Sequence, residues 1–348
     1  MKLKQSLSFL LFVLFALASC KKDSSLHSAV KTNIKSDTDI YILGGVNSGP
    51  VVWKNGVAIP LSSSPNSTVS TLGGIVASGT DIYVSGTLYQ TPTVGTALYW
   101  KNNIITKLTD GSTDAQAFSV TVSGSDVYVG GYVSTSTAYQ DYSTQDAAYW
   151  KNGVLTKLTN TGFANARKII VSGTDVYVLG HVVKNNITVP VYWKNGVINQ
   201  ITDGTKSAGA SGIAIQNNNL YIAYSESEPD STAKPFLWKN GVSTALLTGF
   251  PLNSTTDLFL NGNDVYITGY NSPAVVNQVS AVYWKNNIIQ TLPQPSGSKF
   301  VFTYGVAVIG NDVYIAGSAG SQGLYWKNGV LVPLPIHSYV LGIAVVAH

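Results

Sequence analysis

Side chains that could act as acids, bases or metal ligands are few in this chain of 348 residues. Glu226 and Glu228 share one polar stretch with Asp230, which is more typical of a solvated acidic loop than of a glycosidase carboxylate pair. Calcium would need more oxygen ligands than this stretch supplies. No metal-ligand spacing links the histidines, which are His27, His181, His337 and His348. We therefore predict no catalytic residue, no metal site and no cofactor.

A second polar group combines the chain's single arginine with charges far away in the sequence. Arg167 is followed directly by Lys168, and neither is near Asp257 or His181 along the chain. If the fold brings the four together, they would form a polar ligand site. The alternative is an unlike-charge pair at a rim, which contributes little. One arginine also excludes the arginine triad of sialidases.

Three polar stretches carry aromatic and amide side chains suited to stacking on sugars or peptides. They are "YVSTSTAYQDYSTQD", which contains Tyr132, Tyr139 and Tyr142, "HVVKNNITVP" from His181, and "SESEPDSTAKP" from Ser225. Variable loops on a rigid scaffold are common binding sites. The alternative is that they are solvated loops with structural tyrosines.

A repeat organises the elements that must position these residues. Seven tryptophans recur 42 to 50 residues apart, each in a segment close to "YWKNGV". A second landmark, "DVYV" or a variant, keeps the same spacing and starts at Asp39, Asp81, Asp126, Asp175, Asn219, Asp264 and Asp312. Periods of this size indicate propellers or solenoids. Each unit contains four short strands, as in "FSVTVSG", "DVYVGG", "AAYWK" and "VLTKL".

Turn chemistry predicts how these strands connect. Asn-Gly or Asn-Asn after each Trp-Lys favours a type I′ turn between strands three and four. Gly-Thr, Gly-Ser or Gly-Asn before Asp suits a type II′ turn between strands one and two, where the Asp carboxylate should accept backbone N–H groups.

The residues of the fourth strand predict the order of strands in a blade. Pro60, Lys107 and Pro333 are of types that an unpaired sheet edge tolerates, so the fourth strand should be the outer edge of its blade. The first strand, with its small residues, is then innermost. The lysines of "WKN" predict a ring of positive charge.

The two chain ends predict ring closure. The first unit begins at its second strand, "DIYILGG", and the chain ends on a spare first strand, "GIAVVAH". We therefore predict an all-β, seven-bladed β-propeller with four antiparallel strands per blade, closed by the C-terminal strand pairing with the N-terminal unit. An open solenoid is the alternative, but it gives no reason for complementary fragments at the ends.

The chain begins with a targeting segment. "MKLKQ", the apolar "LSFLLFVLFAL" and "LASC" follow the order of a signal peptide, and "LASC" resembles the lipobox of bacterial lipoproteins. The resemblance implies acylation of Cys20, the only cysteine, and Lys21 by the same resemblance favours the outer membrane, on either side of it. An ordinary secretory signal is the alternative. The predicted domains are a signal peptide at 1–19, a flexible tether at 20–36 and the propeller at 37–348.

The repeat resembles β-propeller repeats of secreted and lipid-anchored bacterial proteins, kelch-like in the broad sense of four strands per blade. It lacks a Gly-Gly pair in every unit, the Trp-Asp dipeptide of WD repeats and the Ser-x-Asp-x-Gly-x-Thr-Trp box of sialidases. The resemblance therefore implies a fold and no activity.

The balance of charged residues bears on which class of partner the protein binds. Without Lys2 and Lys4, 19 basic residues face 17 acidic ones, so we predict no nucleic-acid partner. The favoured function is a lipid-anchored envelope module that binds a glycan, peptide or protein partner through variable loops. A propeller lyase or hydrolase with its site at the channel mouth, and a structural subunit of an envelope complex, are the alternatives.

Overall fold

The computed structural model describes residues 38–63, 69–89, 93–137, 141–229, 232–249, 252–272 and 278–348. Cys20, the predicted signal peptide and tether, Asp230 and Tyr139 lie outside these ranges. Within them the chain forms 28 β-strands and one 3₁₀ turn, Tyr142–Thr144. Among the described residues, no helix has the length and apolar character needed to cross a bilayer.

The described strands form seven antiparallel blades, numbered here from the one that contains both ends of the propeller. Blade 1 contains β28 (Ser338–Ala347), β1 (Thr38–Val46), β2 (Gly49–Lys54) and β3 (Val57–Pro60). Blade 2 contains β4 (Val69–Ser78), β5 (Asp81–Tyr89), β6 (Gly95–Lys101) and β7 (Ile104–Lys107). Blade 3 contains β8 (Ala115–Ser123), β9 (Asp126–Ser134), β10 (Gln145–Lys151) and β11 (Val154–Lys157). Blade 4 contains β12 (Ala164–Ser172), β13 (Asp175–Lys184), β14 (Ile187–Lys194) and β15 (Val197–Gln200).

The remaining blades repeat this order. Blade 5 contains β16 (Ala208–Gln216), β17 (Asn219–Ser227), β18 (Ala233–Lys239) and β19 (Val242–Ala245). Blade 6 contains β20 (Leu252–Asn261), β21 (Asp264–Ser272), β22 (Ser280–Lys285) and β23 (Ile288–Thr291). Blade 7 contains β24 (Val301–Ile309), β25 (Asp312–Ala319), β26 (Gln322–Lys327) and β27 (Val330–Ile336).

The predicted strand order and ring closure are confirmed. In every blade the first strand is innermost and the fourth is the outer edge. The innermost strands pack against their neighbours around the ring, and β28 contacts both β24 and β4. β28 also pairs with β1, from Thr38 opposite Ala347 to Val46 opposite Ser338. The fold is a seven-bladed β-propeller in which the C-terminal strand closes the first blade.

The predicted turns form at one end of the blades, called here the turn face. After each Trp-Lys, both central residues have positive φ, as in Asn152 (49°) and Gly153 (84°), which is the type I′ geometry. Between strands one and two, glycines such as Gly124 (60°) supply the positive φ that type II′ needs. Blade 5 has Asn217 and Asn218 there, both with positive φ. The opposite end, with the remaining connections, is the loop face.

One prediction about the turn face was wrong in detail. The Asp carboxylates accept side-chain donors rather than backbone N–H groups. In blade 3, Asp126 accepts hydrogen bonds from Asn152 Nδ2 at 2.7 Å and Lys151 Nζ at 2.8 Å. The side-chain oxygen of Asn152 is what accepts the backbone N–H of Val127, at 2.8 Å. The amide of Asn152 has both a donor and an acceptor, so it bridges the two hairpins where a carboxylate alone cannot.

Each lysine of "WKN" lies over a tyrosine ring of the adjacent strand. In blade 3 the Lys151 ammonium is 5.3 Å from the ring centroid of Tyr128. In six blades the lysine also pairs with the Asp of the "DVYV" segment. The predicted ring of positive charge is therefore largely neutralised. Lys239 of blade 5 is the exception within the described chain, because Asn219 replaces the Asp.

The tryptophans form the contacts between blades. Each of the seven hydrophobic clusters of the described residues contains one Trp and side chains of the preceding blade. Trp100 of blade 2, for example, packs with Leu43 and Val52 of blade 1. Burial of such a ring is a large hydrophobic contribution. The hexapeptide repeats because every interface needs one Trp and every blade needs one tight hairpin.

Candidate ligand site at the channel mouth

Each innermost strand contains one β-bulge at an equivalent position. A bulge bends its strand and re-aims a side chain. In β12 the extra residue is the fourth of nine, nearer the loop face. The extra residues form what we call the mouth ring: Gly73, Phe118, Arg167, Ser211, Thr256, Tyr304 and Leu341. The residue type at this backbone position thus varies from blade to blade, from glycine through hydroxyl, aliphatic and aromatic residues to arginine.

The channel contains a cavity of about 560 Å³, lined by the innermost strands of all seven blades. Lys168 of blade 4 and Asp257 of blade 6 form an ion pair across it, with Nζ 3.0 Å from Oδ1. The other Asp257 oxygen accepts the Val306 N–H at 3.3 Å. Blade 5 lies between them and has Gly212 at this level, where a Cβ would lie 2.5 Å from the Leu258 nitrogen. The two charges of the cavity wall therefore neutralise each other.

Arg167 is held beside the mouth by two contacts. Its guanidinium carbon lies 4.5 Å from the ring centroid of Phe118, the mouth-ring residue of blade 3. Its Nε donates to Asn165 Oδ1 at 3.1 Å. More than a third of the residue is exposed, yet surrounding protein partly desolvates the guanidinium and lowers its pKa, an effect opposed by the phenols of Tyr142 and Tyr132. The structure thus fixes the plane of a charged side chain that solvent reaches.

His181 is connected to Arg167 through Asn165. The Asn165 amide nitrogen lies 3.2 Å from His181 Nε2. Because the Asn165 oxygen already accepts from Arg167, its NH₂ group donates and His181 Nε2 accepts, which requires a neutral imidazole. Burial, together with the positive charge of Arg167, lowers the pKa of His181 to about 4. His181 does not lie in a loop as the sequence suggested, since its stretch is the regular hairpin of β13 and β14.

The three predicted tyrosines have different placements. Tyr132 lies in β9 with 2% of its surface exposed, and its hydroxyl donates to Asp114 Oδ2 at 2.6 Å. Its ring packs against the ring of Phe118, with centroids 5.8 Å apart. Tyr132 is therefore a buried residue that contacts a mouth-ring residue. Tyr142 starts the 3₁₀ turn and is 54% exposed. Tyr139 lies outside the described residues.

Sequence reasoning missed Phe118, Asn165 and Phe163. Phe163 precedes the strand of Arg167 and is 45% exposed, with φ of 56°. Bulky residues rarely adopt this left-handed conformation, which costs on the order of 1–3 kcal/mol and is found most often at functional sites. Its N–H donates to the Tyr142 carbonyl at 2.8 Å, so the segment that leads into β12 is joined to the 3₁₀ turn of blade 3. Lys168 and Ser119 occupy the same position of the repeat. Phe118 and Arg167 each precede that position, so an alignment of the repeats would have shown that they are equivalent residues of neighbouring blades.

The acidic residues near Ser225 form ion pairs. Lys206 contacts Glu226 Oε1 at 3.2 Å and Glu228 Oε2 at 2.9 Å, and Lys234 contacts Glu228 Oε1 at 3.1 Å. These two carboxylates thus share lysine partners within blade 5. In the described ranges, no group of three or more His, Cys, Asp or Glu residues is placed to hold a metal ion.

Comparisons with known proteins agree on the fold. No protein-family model matches the chain, and no curated protein matches it. A structure from a study of two prolyl endopeptidases is 10% identical, with a TM-score of 0.53 over 87% of this chain and 50% of that one. The chain thus spans about half of that endopeptidase. The likeness is one of fold alone.

Two further solved structures are less similar. TolB from Acinetobacter baumannii is 11% identical, with a TM-score of 0.48 over 80% of this chain and 82% of that one. A lectin from Aleuria aurantia, in complex with α-methyl-L-fucoside, is 10% identical, with a TM-score of 0.44 over 80% of this chain and 97% of that one.

Proposed function

We propose that this protein is a lipid-anchored binding module of the bacterial cell envelope, which holds a glycan or a peptide at the mouth of its loop face. The mouth ring is the observation that carries the proposal. One backbone position accepts residues from glycine to arginine in different blades, so the fold does not dictate their types. The turn face, by contrast, repeats the same residues. Ser211, Thr256 and Tyr304 bond to other side chains of the protein. Phe118 and Arg167 are then the side chains of the ring best suited to ligand recognition.

The aromatic residues beside the mouth favour stacking on a ligand. Tyr142 and Phe163 are both about half exposed and lie on loops joined by a backbone hydrogen bond. Aromatic side chains supply contact area at low conformational cost. A rigid scaffold with exposed rings beside polar groups is what a small-molecule or glycan site requires.

The start of β1 is consistent with a membrane anchor. Asp39 pairs with Lys54 and Asn55 of the tight hairpin, so the chain enters the propeller at the turn face. β1 therefore begins at the end of the propeller opposite the mouth. Cys20 lies outside the described residues, and acylation is tested directly: Cys20→Ser should move the protein from the membrane fraction to the soluble fraction.

An enzymatic site has less support. Asp257, the carboxylate in the cavity wall, is paired with Lys168 and bonded to the Val306 backbone. His181 is held neutral and accepts a hydrogen bond from Asn165. Neither group has the free acid or base position that proton transfer to a substrate needs. Affinity without turnover is the expected behaviour.

Glycan and peptide array binding tests the proposal. The full chain, kept soluble by Cys20→Ser, is compared with Tyr142→Ala, the Tyr139→Ala/Tyr142→Ala pair and Phe118→Ala. We expect at least one ligand whose binding falls tenfold or more in the mouth variants. Val154→Ala, at a residue 70% exposed on the outer strand β11, is the matched control and should bind normally. Ligands bound equally by all variants would place the site elsewhere. The absence of any ligand would favour the structural-subunit alternative.

A further inference from the structure

Arg167 has hydrogen-bond donors that the protein does not use. Its Nε donates to Asn165, whereas its terminal Nη1 and Nη2 groups make no hydrogen bond to any residue in the described ranges. Within the same ranges, no carboxylate lies within 4 Å of it. A guanidinium is always charged and presents paired donors in a fixed plane. Arg167 itself does not line the cavity, but it lies over Phe118 and next to Lys168, which both do. A solvent-exposed arginine whose two terminal NH₂ groups, which form its fork, have no acceptor in the described part of the chain is suited to binding an oxyanion.

The charges around Arg167 do not neutralise it. Lys168 and Asp257 pair with each other. Asp114, the carboxylate behind Phe118, accepts from the Tyr132 hydroxyl at 2.6 Å and from the Gly95 N–H at 2.9 Å. His181 is neutral because its Nε2 accepts from Asn165. Among the described residues, Asp114 accepts only from neutral donors and does not contact the guanidinium, so Arg167 is a positive charge without a carboxylate partner.

The geometry of Arg167 is fixed before any ligand binds. Phe118 covers one side of the guanidinium, and Asn165, itself bonded to His181, holds Nε. A side chain ordered in advance loses less entropy on binding. Two parallel N–H···O bonds to one carboxylate are the strongest use of such a fork.

Exposed rings beside this fork favour a sugar over a peptide. Tyr142 and Phe163 are about half exposed and their loops are joined by a backbone hydrogen bond, and the Tyr142 phenol is near enough to Arg167 to affect its pKa. A sugar ring stacks on an exposed aromatic ring while its carboxylate reaches the fork. An added peptide strand would instead need a freely accessible sheet edge. The unpaired edge of β12, the strand of Arg167, packs beside the innermost strands β8 and β16 of the neighbouring blades.

We propose that the ligand is an acidic saccharide whose carboxylate is bound by the Nη1 and Nη2 groups of Arg167, with the sugar ring against the aromatic residues of the mouth. This inference rests on the proposed function and specifies the ligand class of the same site. Arg167 is then the residue that determines specificity for anionic over neutral ligands.

Titration calorimetry with defined oligosaccharides tests the inference. The full chain carrying Cys20→Ser is titrated with oligogalacturonate and oligoglucuronate, and with the same oligosaccharides after reduction of their carboxylates to alcohols. We expect one acidic form to bind at least tenfold more tightly than its reduced form, with an affinity that falls as salt increases. Carboxylate reduction changes only the ligand, so this comparison does not depend on a variant that folds.

Variants of Arg167 test whether its guanidinium causes the preference for the acidic oligosaccharide. Arg167→Met should remove the preference for the acidic form while leaving the weak binding of the reduced form unchanged. Arg167→Lys should restore only part of the preference, because a lysine supplies charge without paired donors. Lys107→Met, at an exposed cation of the outer strand β7, is the control and should bind as the parent does. Equal changes in Arg167→Met and Lys107→Met would overturn the assignment.

The outcomes distinguish the two proposals. If neutral saccharides bind the mouth as tightly as acidic ones, and Tyr142→Ala weakens both, the inference about charge is wrong and the binding proposal stands. If an acidic peptide binds with the same dependence on Arg167 and no saccharide does, the saccharide class is wrong. If no saccharide or peptide binds, both proposals fail.

Discussion

At the scale of single residues, the tryptophan, lysine and asparagine of each "WKN" segment have separate roles. The tryptophan fills an interface between blades, the lysine covers a tyrosine ring, and the asparagine adopts positive φ while its amide bridges two hairpins. The Asp opposite them has a lowered pKa in six blades because the neighbouring lysine and asparagine donate hydrogen bonds to it. The lysines of these pairs are solvent-exposed, so each ion pair is expected to add little on its own.

The contribution of the ion pair can be measured in blade 6. Asp264→Asn copies the sequence of blade 5 and removes the pair with Lys285, whose Nζ is 2.8 Å from Asp264 Oδ2. We expect a small decrease in melting temperature that disappears at high salt, because both groups are solvent-exposed. The decrease should also disappear in a Lys285→Met background. A large decrease that persists at high salt would contradict this assignment.

His181 should make stability depend on pH. Its pKa is about 4 in the folded protein and about 6.5 in an unfolded chain, so between these values only the unfolded state takes up the proton. The free energy of unfolding should therefore fall as pH decreases from 6.5 to 4, by an amount on the order of 3 kcal/mol. Urea unfolding across this pH range is the measurement.

His181→Gln keeps an acceptor for Asn165 and cannot titrate, so it should flatten the decrease. His337→Asn provides the control, because His337 is exposed and its φ of 62° suits asparagine. That variant should retain the slope of the parent. An unchanged slope in His181→Gln would mean that other groups cause the pH dependence.

At the scale of the elements, the bulge in each innermost strand separates the repeating part of a blade from the varying part. Toward the turn face, the strands carry the same apolar positions in every blade. At the bulge, the ladder of hydrogen bonds is interrupted and the extra residue is free to differ. In the second strand, next to this point, glycine recurs in every blade except blade 5, because a Cβ would meet a backbone carbonyl of the first strand and, in most of these blades, the Trp of the third strand. At Gly269, for instance, a Cβ would be 2.2 Å from the Ser254 oxygen and 2.8 Å from Trp284 Cζ3.

A methyl group at Gly269 tests this close packing. Gly269→Ala forces the strand and the indole apart, and overpacking of this kind costs about 1–3 kcal/mol. Gly209→Ala in β16, where a Cβ would meet nothing within 4 Å, is the matched control and should change stability by less than about 0.5 kcal/mol. Denaturant unfolding of the two variants gives the comparison. Equal losses would show that glycine flexibility, not the indole, explains the position.

At the scale of the whole molecule, ring closure places both ends of the propeller in one blade. β28 pairs with β1 along the full length of that strand, and Val340 and Ile343 lie in the cluster between blades 7 and 1. Closing the ring removes the open ends that an array of blades would otherwise expose. All seven blades are then expected to unfold together.

Removal of β28 tests this cooperativity. Deletion of residues 338–348 exposes the inner edge of β1 and the cluster between blades 7 and 1, so we expect loss of the sharp thermal transition and aggregation in gel filtration. Deletion of His348 alone leaves the pairing with β1 in place and should preserve the transition. A sharp transition in the larger deletion would mean that blades 2 to 7 fold as an independent array.

Much of the fold could be predicted from the sequence because its determinants are local and occur seven times. Asn-Gly specifies a tight hairpin wherever it stands, and proline marks an outer strand. The candidate site was predicted only in part, since Arg167, Lys168 and Asp257 interrupt the repeat but their partners do not follow from spacing. Tyr132 and His181 stand in polar stretches, and burial in strands decides their surroundings.

The sequence by itself determined the number of blades, their turns and the order of their strands, because each depends on residues within one repeat. Only the tertiary structure decided which side chains meet at the mouth. Arg167 contacts Phe118 of the preceding blade, and Lys168 reaches Asp257 from 89 residues away. These contacts arise from the curvature of a closed ring and the placement of its bulges. No local pattern encodes them, since they depend on the packing of all seven blades together.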